Sequence, residues 1–170
     1  LGRYSRHEKV DAAAMDAAIL DATRHVVKLQ AECGIDIANN GEQARESFFT
    51  YVQHRMSGFG GESDRPGFAD MIAYPSFLEM IVAQMRARVQ VDLLHAPKAV
   101  GAVKYFDRTP LNRECDDFAK VLAELKPGFS ETFMTAPSPG IIAAAMLNEH
   151  YPNLEAYVAA LADALRVEYE

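Results

Sequence analysis

The sequence predicts an α/β fold made of parallel βα units. Three observations lead there: strand-like apolar runs at 35–38, 99–106 and 131–135, helical periodicity following each of them, and turn or capping residues at the junctions. With 170 residues, no internal repeat and no low-complexity segment, the chain is expected to form one domain spanning 1–170.

The first helix is predicted over 10–33, where Met15, Ile19, Ala22, Val26, Leu29 and Cys33 recur at alternating spacings of four and three. Gly34 ends it. A short strand at 35–38 follows, then Asn39-Asn40-Gly41, a turn that accepts positive φ. A second helix is expected over 44–55. The segment SGFGGESDRPGF at 57–68, with four glycines and a proline, reads as a long loop and a candidate lid.

Ser76 and Glu79 form a capping-box pattern before Leu78, Ile81, Val82, Met85 and Val89, the apolar face of another helix that Pro97 terminates. After the strand at 99–106, Thr109 is the expected cap and Pro110 the first residue of a helix whose inner face carries Leu111, Cys115, Phe118, Leu122 and Leu125. Pro127-Gly128 closes it. Beyond the strand at 131–135, Ser138 caps a helix with Pro139 in its first turn, running through Leu147. Asn153 caps the last helix, with Leu154, Val158, Leu161 and Leu165 on one side.

A net charge of -7, spread along the chain, leaves no basic stripe for a phosphate backbone, so nucleic acid is not an expected partner. Apolar runs are far shorter than the ~20 residues that span a bilayer, and the N-terminal LGRYSRHEKV lacks a signal-peptide core, which points to a cytoplasmic protein without a membrane partner. Cys33 and Cys115 are isolated, giving neither a disulfide framework nor a metal knuckle, and are expected to be buried thiols. The Met residues fit core filling. His7, His25, His54, His95 and His150 sit in no nucleophile-base pattern.

Chemistry in a βα architecture collects where strands end and helices begin. Glu42 lies at such an end. It can hold a ligand ammonium group, a charge-assisted contact of about 1.5–3 kcal/mol, or it can face the positive end of the next helix, worth roughly 0.3–1 kcal/mol. Spacing alone favours the second. The TAPSPG turn offers the Thr135 and Ser138 hydroxyls and helix-start amides, either as a polar ligand site or as a well-capped turn; it lacks the Gly spacing and Lys of a phosphate loop.

The run GIDIANNGEQARESFFTYVQHRMSGFGG at 34–61 resembles the cobalamin-independent methionine synthase family, whose segment reads approximately G-[IL]-D-hydrophobic-x-x-[DN]-G-E before an aromatic-rich helix and a Gly-Phe loop. TAPSPGIIAAAMLNEHYPNLEAYVAALADALRVEYE resembles that family's T-[AG]-P-S-P turn and the helix ending in Glu-Tyr. The resemblance implies a (β/α)8 TIM-type barrel and a methyltransferase of methionine biosynthesis, in which zinc activates a homocysteine-like thiol that takes a methyl group from a methylated folate or another alkyl donor.

It further implies that Glu42 binds the substrate's amino group, with Thr135 and Ser138 lining the same mouth and Gln43 and Ser47 beside them. The family's zinc ligands, a His-x-Cys pair, a Glu and a further Cys, match nothing here, nor does its opening Gly-Ser-hydrophobic-Pro-Arg strand. The chain has no Trp to pack on a pterin, and the comparable IIAAAML is small and apolar. The expectation is therefore a partial barrel, without its first strand and metal-binding half, that covers its open side with another copy or with the missing half. From a different class, the same residues fit a non-catalytic thiol-ligand or interaction module.

Overall fold

A computed structural model of the chain describes residues 1–5, 8–63, 69–87 and 96–170. Helices α1 (Gly2–Ser5) and α2 (Ala12–Glu32) lead to strand β1 (Ile37–Ala38) and, after a turn region, to a 3-10 helix at Thr50–His54 and strand β2 (Met56–Gly60). Helices α3 (Ala69–Ala73) and α4 (Pro75–Ala87), strand β3 (Lys98–Tyr105) and helix α5 (Thr109–Leu125) come next, followed by β4 (Glu131–Thr132), α6 (Pro139–Ala145) and α7 (Leu154–Tyr169). The chain is a mixed α/β protein with short sheets.

The expected parallel pairing holds for one of the two sheets among the described residues. β1 and β4 run parallel, Ile37 opposite Glu131 and Ala38 opposite Thr132. β2 and β3 are antiparallel, with an irregularity between Ser57 and Phe59. The glycine-rich stretch read as a loop is thus a strand over its first residues, and 64–68 lie outside the described residues. Gly58 explains the difference: at φ 91° a Cβ there would stand 2.7 Å from the Ala102 carbonyl oxygen, so only glycine lets the two backbones meet. Leu147 to Glu149 extends this sheet along β3, since Ala99 donates to Leu147 O and Glu149 donates to Ala99 O.

The predicted caps at Ser138 and Asn153 form, accepting from Ile141 N and Ala156 N. Thr109 instead lies inside α5, and it is Asp107 whose carboxylate accepts the Thr109 N–H. Ser76 likewise sits within α4, whose helix starts at Pro75. Phe77, Leu78 and Met80 on α4, with Ile72 and Tyr74 before it, are exposed. Val89 and the Met85 side chain lie outside the described part of α4.

Two cores form. Met56, Val103, Ile142, Met146, Tyr157, Leu161 and Leu165 belong to the larger, between the β2–β3 sheet and α6 and α7. Each fully buried aliphatic side chain there contributes about 1.5–3 kcal/mol. The smaller joins α2 and α5 through Val27, Phe118 and Val121. These contacts turn α2 away from the predicted stripe: Thr23 and Val27 are buried, whereas Leu29 and Cys33 are exposed. On α5 the inward stripe is Leu111, Glu114, Phe118 and Val121, which leaves Cys115 exposed too. Neither cysteine is the buried thiol expected. Leu154 is exposed as well, since Tyr157, Leu161, Ala164 and Leu165 face the core.

Residues 44–55 do not form the expected α-helix. Arg45, Glu46, Phe49, Thr50, Tyr51 and Val52 are all buried, a density that a one-sided helix cannot bury. Ser47 accepts from Thr50 N, and a tighter 3-10 helix runs from Thr50 to His54 instead.

Candidate functional site

Both strands of the parallel sheet deliver their following residues to one place. After β1, Asn39 Oδ1 accepts from Gly41 N at 2.7 Å and Asn40 Oδ1 accepts from Glu42 N at 3.0 Å, two successive side-chain turns. Gln30 on α2 latches Asn39 through its backbone N–H and C=O. A Cβ on Gly41 would lie 2.8 Å from Val26 Cγ1, so glycine is what lets the turn sit against α2. Glu42 is held at φ 56°, a left-handed conformation rare for a residue with a Cβ.

After β4 comes Thr135. Its hydroxyl donates to Glu42 Oε1 at 2.7 Å and accepts from Arg45 Nη1 at 3.0 Å. The structure therefore brings together Glu42 and Thr135, residues separated by most of the sequence. The other three residues singled out above act locally. Gln43 donates to Gly41 O, Ser47 accepts from Thr50 N and contacts the Thr50 hydroxyl at 2.5 Å, and Ser138 caps α6.

Beneath this pair lies a buried charge network. Glu114 of α5 receives Arg45 Nε on both oxygens, at 2.9 and 3.2 Å, with Arg55 Nη2 at 2.8 Å and Asn40 Nδ2 at 2.7 Å. Arg55 Nη1 continues to Glu168 Oε1 at 2.8 Å, and Glu168 also accepts from the Tyr51 and Tyr105 hydroxyls. The Tyr51 ring lies under both guanidinium groups, 4.7 Å from Arg45 and 4.4 Å from Arg55, so each cation meets a π face as well as a carboxylate.

Burial opposes ionisation of Glu114, but the charge of Arg45 and the hydrogen bonds from Arg55 and Asn40 together outweigh it and hold its carboxyl below the ordinary range. Glu46 behaves alike: burial is overcome by His54, whose Nε2 lies 2.9 Å away, and by Gln53 and Thr50. Desolvation pushes the Tyr51 phenol far up, and that of Tyr105 as well, so both remain hydrogen-bond donors.

Arg45, Arg55, Glu114 and Glu168 were not singled out from the sequence. The signal was present in the helices: Glu114 falls on the apolar register of α5 between Leu111 and Phe118, and Glu168 on that of α7 after Leu161 and Leu165. An acid on an apolar stripe needs a buried partner. A cavity of about 460 Å³ opens beside this network, lined among others by Arg45, Arg108, Asn112 and Thr135.

The zinc implied by the resemblance does not fit the residues present: among the described residues no group of three or more His, Cys, Asp or Glu is placed to hold a metal ion. Cys33 ends α2, Cys115 lies on the outer face of α5, and His7 and His95 fall outside the described residues. Among the described residues no helix is long and apolar enough to cross a membrane. Set against models of known families, curated proteins and solved structures, the chain matches none.

Proposed function

We propose that this chain is the substrate-binding part of a methyltransferase similar to cobalamin-independent methionine synthase, in which Glu42 holds the ammonium group of a homocysteine-like thiol. The observation that carries this reading is the meeting of Glu42 and Thr135 beyond the ends of two paired parallel strands, where a (β/α)8 barrel or an open α/β sheet binds its ligands. The G-E and T-A-P-S-P stretches that resemble the family supply these two residues.

The chain's own part is binding and orientation. Thr135 donates to one Glu42 oxygen, which leaves the other for a ligand N–H, and Arg45 fixes the hydroxyl from behind. The strained backbone at Glu42 supports the same reading, since a left-handed glutamate is retained only where the surroundings hold it. Activation of the thiol and supply of the methyl group, from a methylated folate or another donor, fall to groups outside this site.

Replacing Glu42 by Gln keeps the size and removes the charge. Binding of homocysteine should weaken by about 1.5–3 kcal/mol, while 4-mercaptobutanoate, the same thiol without its amine, should bind as before. Titration calorimetry with both ligands tests this, and equal losses for the two would overturn the role of Glu42.

A further inference from the structure

Two cations with unused hydrogen-bonding capacity line the cavity beside Thr135. Arg45 is almost wholly buried, with 1% of its side chain exposed, and its Nη2 has no hydrogen-bond partner among the described residues. A buried guanidinium N–H without an acceptor is an uncompensated loss of hydration. Arg108, at the boundary of α5, is exposed and its side chain makes no hydrogen bond or ion pair with a described residue. Asn112, one turn further along α5, adds an amide to the same wall.

The acidic residues that also line this space do not cancel the two arginines. Glu168 is spent, since its oxygens already accept from Arg55, Tyr51 and Tyr105. Glu170 is exposed to solvent, which screens its charge. Leu111, Met134 and Val167 supply apolar wall between the polar groups. The arrangement of apolar lining with a few convergent polar groups is that of a small-molecule site.

We infer that this cavity is a carboxylate subsite, with Arg108 and Arg45 as its cationic donors, and that it takes the carboxylate of the same ligand whose amine Glu42 holds. Thr135 joins the two: it lines the cavity and donates to Glu42 at 2.7 Å, so the amine and carboxylate subsites lie one side chain apart. That spacing suits an amino acid, with charge of each sign met by its opposite. Arginine is the residue suited to a planar carboxylate, because its fork matches the two oxygens. The inference rests on the proposed role of Glu42 for the amine half only; the carboxylate half stands on the cavity.

Three thiols separate the halves: homocysteine, 3-aminopropane-1-thiol, which lacks the carboxylate, and 4-mercaptobutanoate, which lacks the amine. Arg108→Gln should weaken homocysteine and 4-mercaptobutanoate about tenfold, the loss of one charge-assisted hydrogen bond, and leave 3-aminopropane-1-thiol unchanged. Arg45→Lys, kept only if it unfolds cooperatively, should show the same pattern, since lysine retains the charge toward Glu114 but not the fork. Glu42→Gln should do the converse, sparing only 4-mercaptobutanoate. Equal losses for all three thiols in Arg108→Gln, or no loss in any, would overturn the carboxylate subsite while leaving Glu42 to its own test. If Glu42→Gln fails to discriminate but Arg108→Gln does, the subsite survives and the amine reading falls. A wild-type chain that binds none of the three overturns both.

Discussion

In the core between the β2–β3 sheet and α6 and α7 the contacts are aliphatic and aromatic, and the Tyr157 hydroxyl that enters it donates to Met146 O. Where β1 and β4 end, the interior is instead a chain of charges running from Asn40 and Arg45 through Glu114 and Arg55 to Glu168. The first region gains from every buried methylene and tolerates neighbours of similar shape. The second gains little net from each pair once desolvation is subtracted, yet loses heavily when one member is removed. An apolar region sets where the elements pack. A charged one sets where particular atoms must be, and that region carries Glu42 and Thr135.

Removal of one member from each region gives the largest contrast. Glu114→Ala strands donors on Asn40, Arg45 and Arg55 together and should destabilise the chain by about 3–5 kcal/mol. Leu161→Ala, at a fully buried site in the apolar core, should cost about 2–5 kcal/mol. Size alone does not separate them. Urea unfolding in the presence of homocysteine does: ligand stabilisation should survive Leu161→Ala and vanish in Glu114→Ala, whose loss frees Arg45 and through it Thr135. Ligand stabilisation retained in Glu114→Ala would show that the network is scaffold only.

Acid sharpens the comparison by a smaller effect. The folded carboxyl pKa values of Glu46 and Glu114 lie below their ordinary value of 4.5. Between that value and the lowered ones the unfolded chain binds more protons than the folded chain, so stability rises with pH there. The contribution is complete above about pH 4.5 and is lost as pH falls through the folded values. Unfolding midpoints followed from about pH 7 to about pH 3 should decline for the wild type. The decline should be shallower in Glu114→Ala, which has lost one of these groups, and unchanged in slope in Leu161→Ala. A parallel decline in all three would place the acid sensitivity elsewhere.

The two regions also differed in how far the sequence revealed them. Helix periodicity, the Ser138 and Asn153 caps and the strand at 99–106 were legible because each depends on neighbours a few residues away. Glu42 and Thr135 were legible as residues just past strand ends. The network was not, because Arg45 finds Glu114 across 69 residues and Arg55 finds Glu168 across 113. The distant Glu114 also holds Arg45 inward within 44–55, while Glu46 is held there locally by Gln53 and His54. At 57–60 the loop expectation fails for a local reason: glycine marks loops, but Gly58 is there so that a strand can bulge against its partner.

The smallest effect concerns the backbone of Glu42 itself. At φ 56° a side chain with a Cβ is strained by roughly 1–2 kcal/mol, and glycine is not. Glycine in turn adds entropy to the unfolded chain, which offsets about 0.5–1 kcal/mol of that gain. Glu42→Ala and Glu42→Gly both lose the carboxylate and its bond from Thr135, so their difference isolates the backbone. Glu42→Gly should therefore be the more stable of the two by roughly 0.5–1 kcal/mol, with neither able to discriminate amine-bearing thiols. That ordering would mean that the position keeps glutamate against the preference of its own backbone, as a binding residue does and a helix-start acid has no need to. Chemical denaturation of the two variants decides it: Glu42→Ala equal to or more stable than Glu42→Gly would mean that the turn is unstrained, and would remove backbone strain from the case for Glu42 as the amine site.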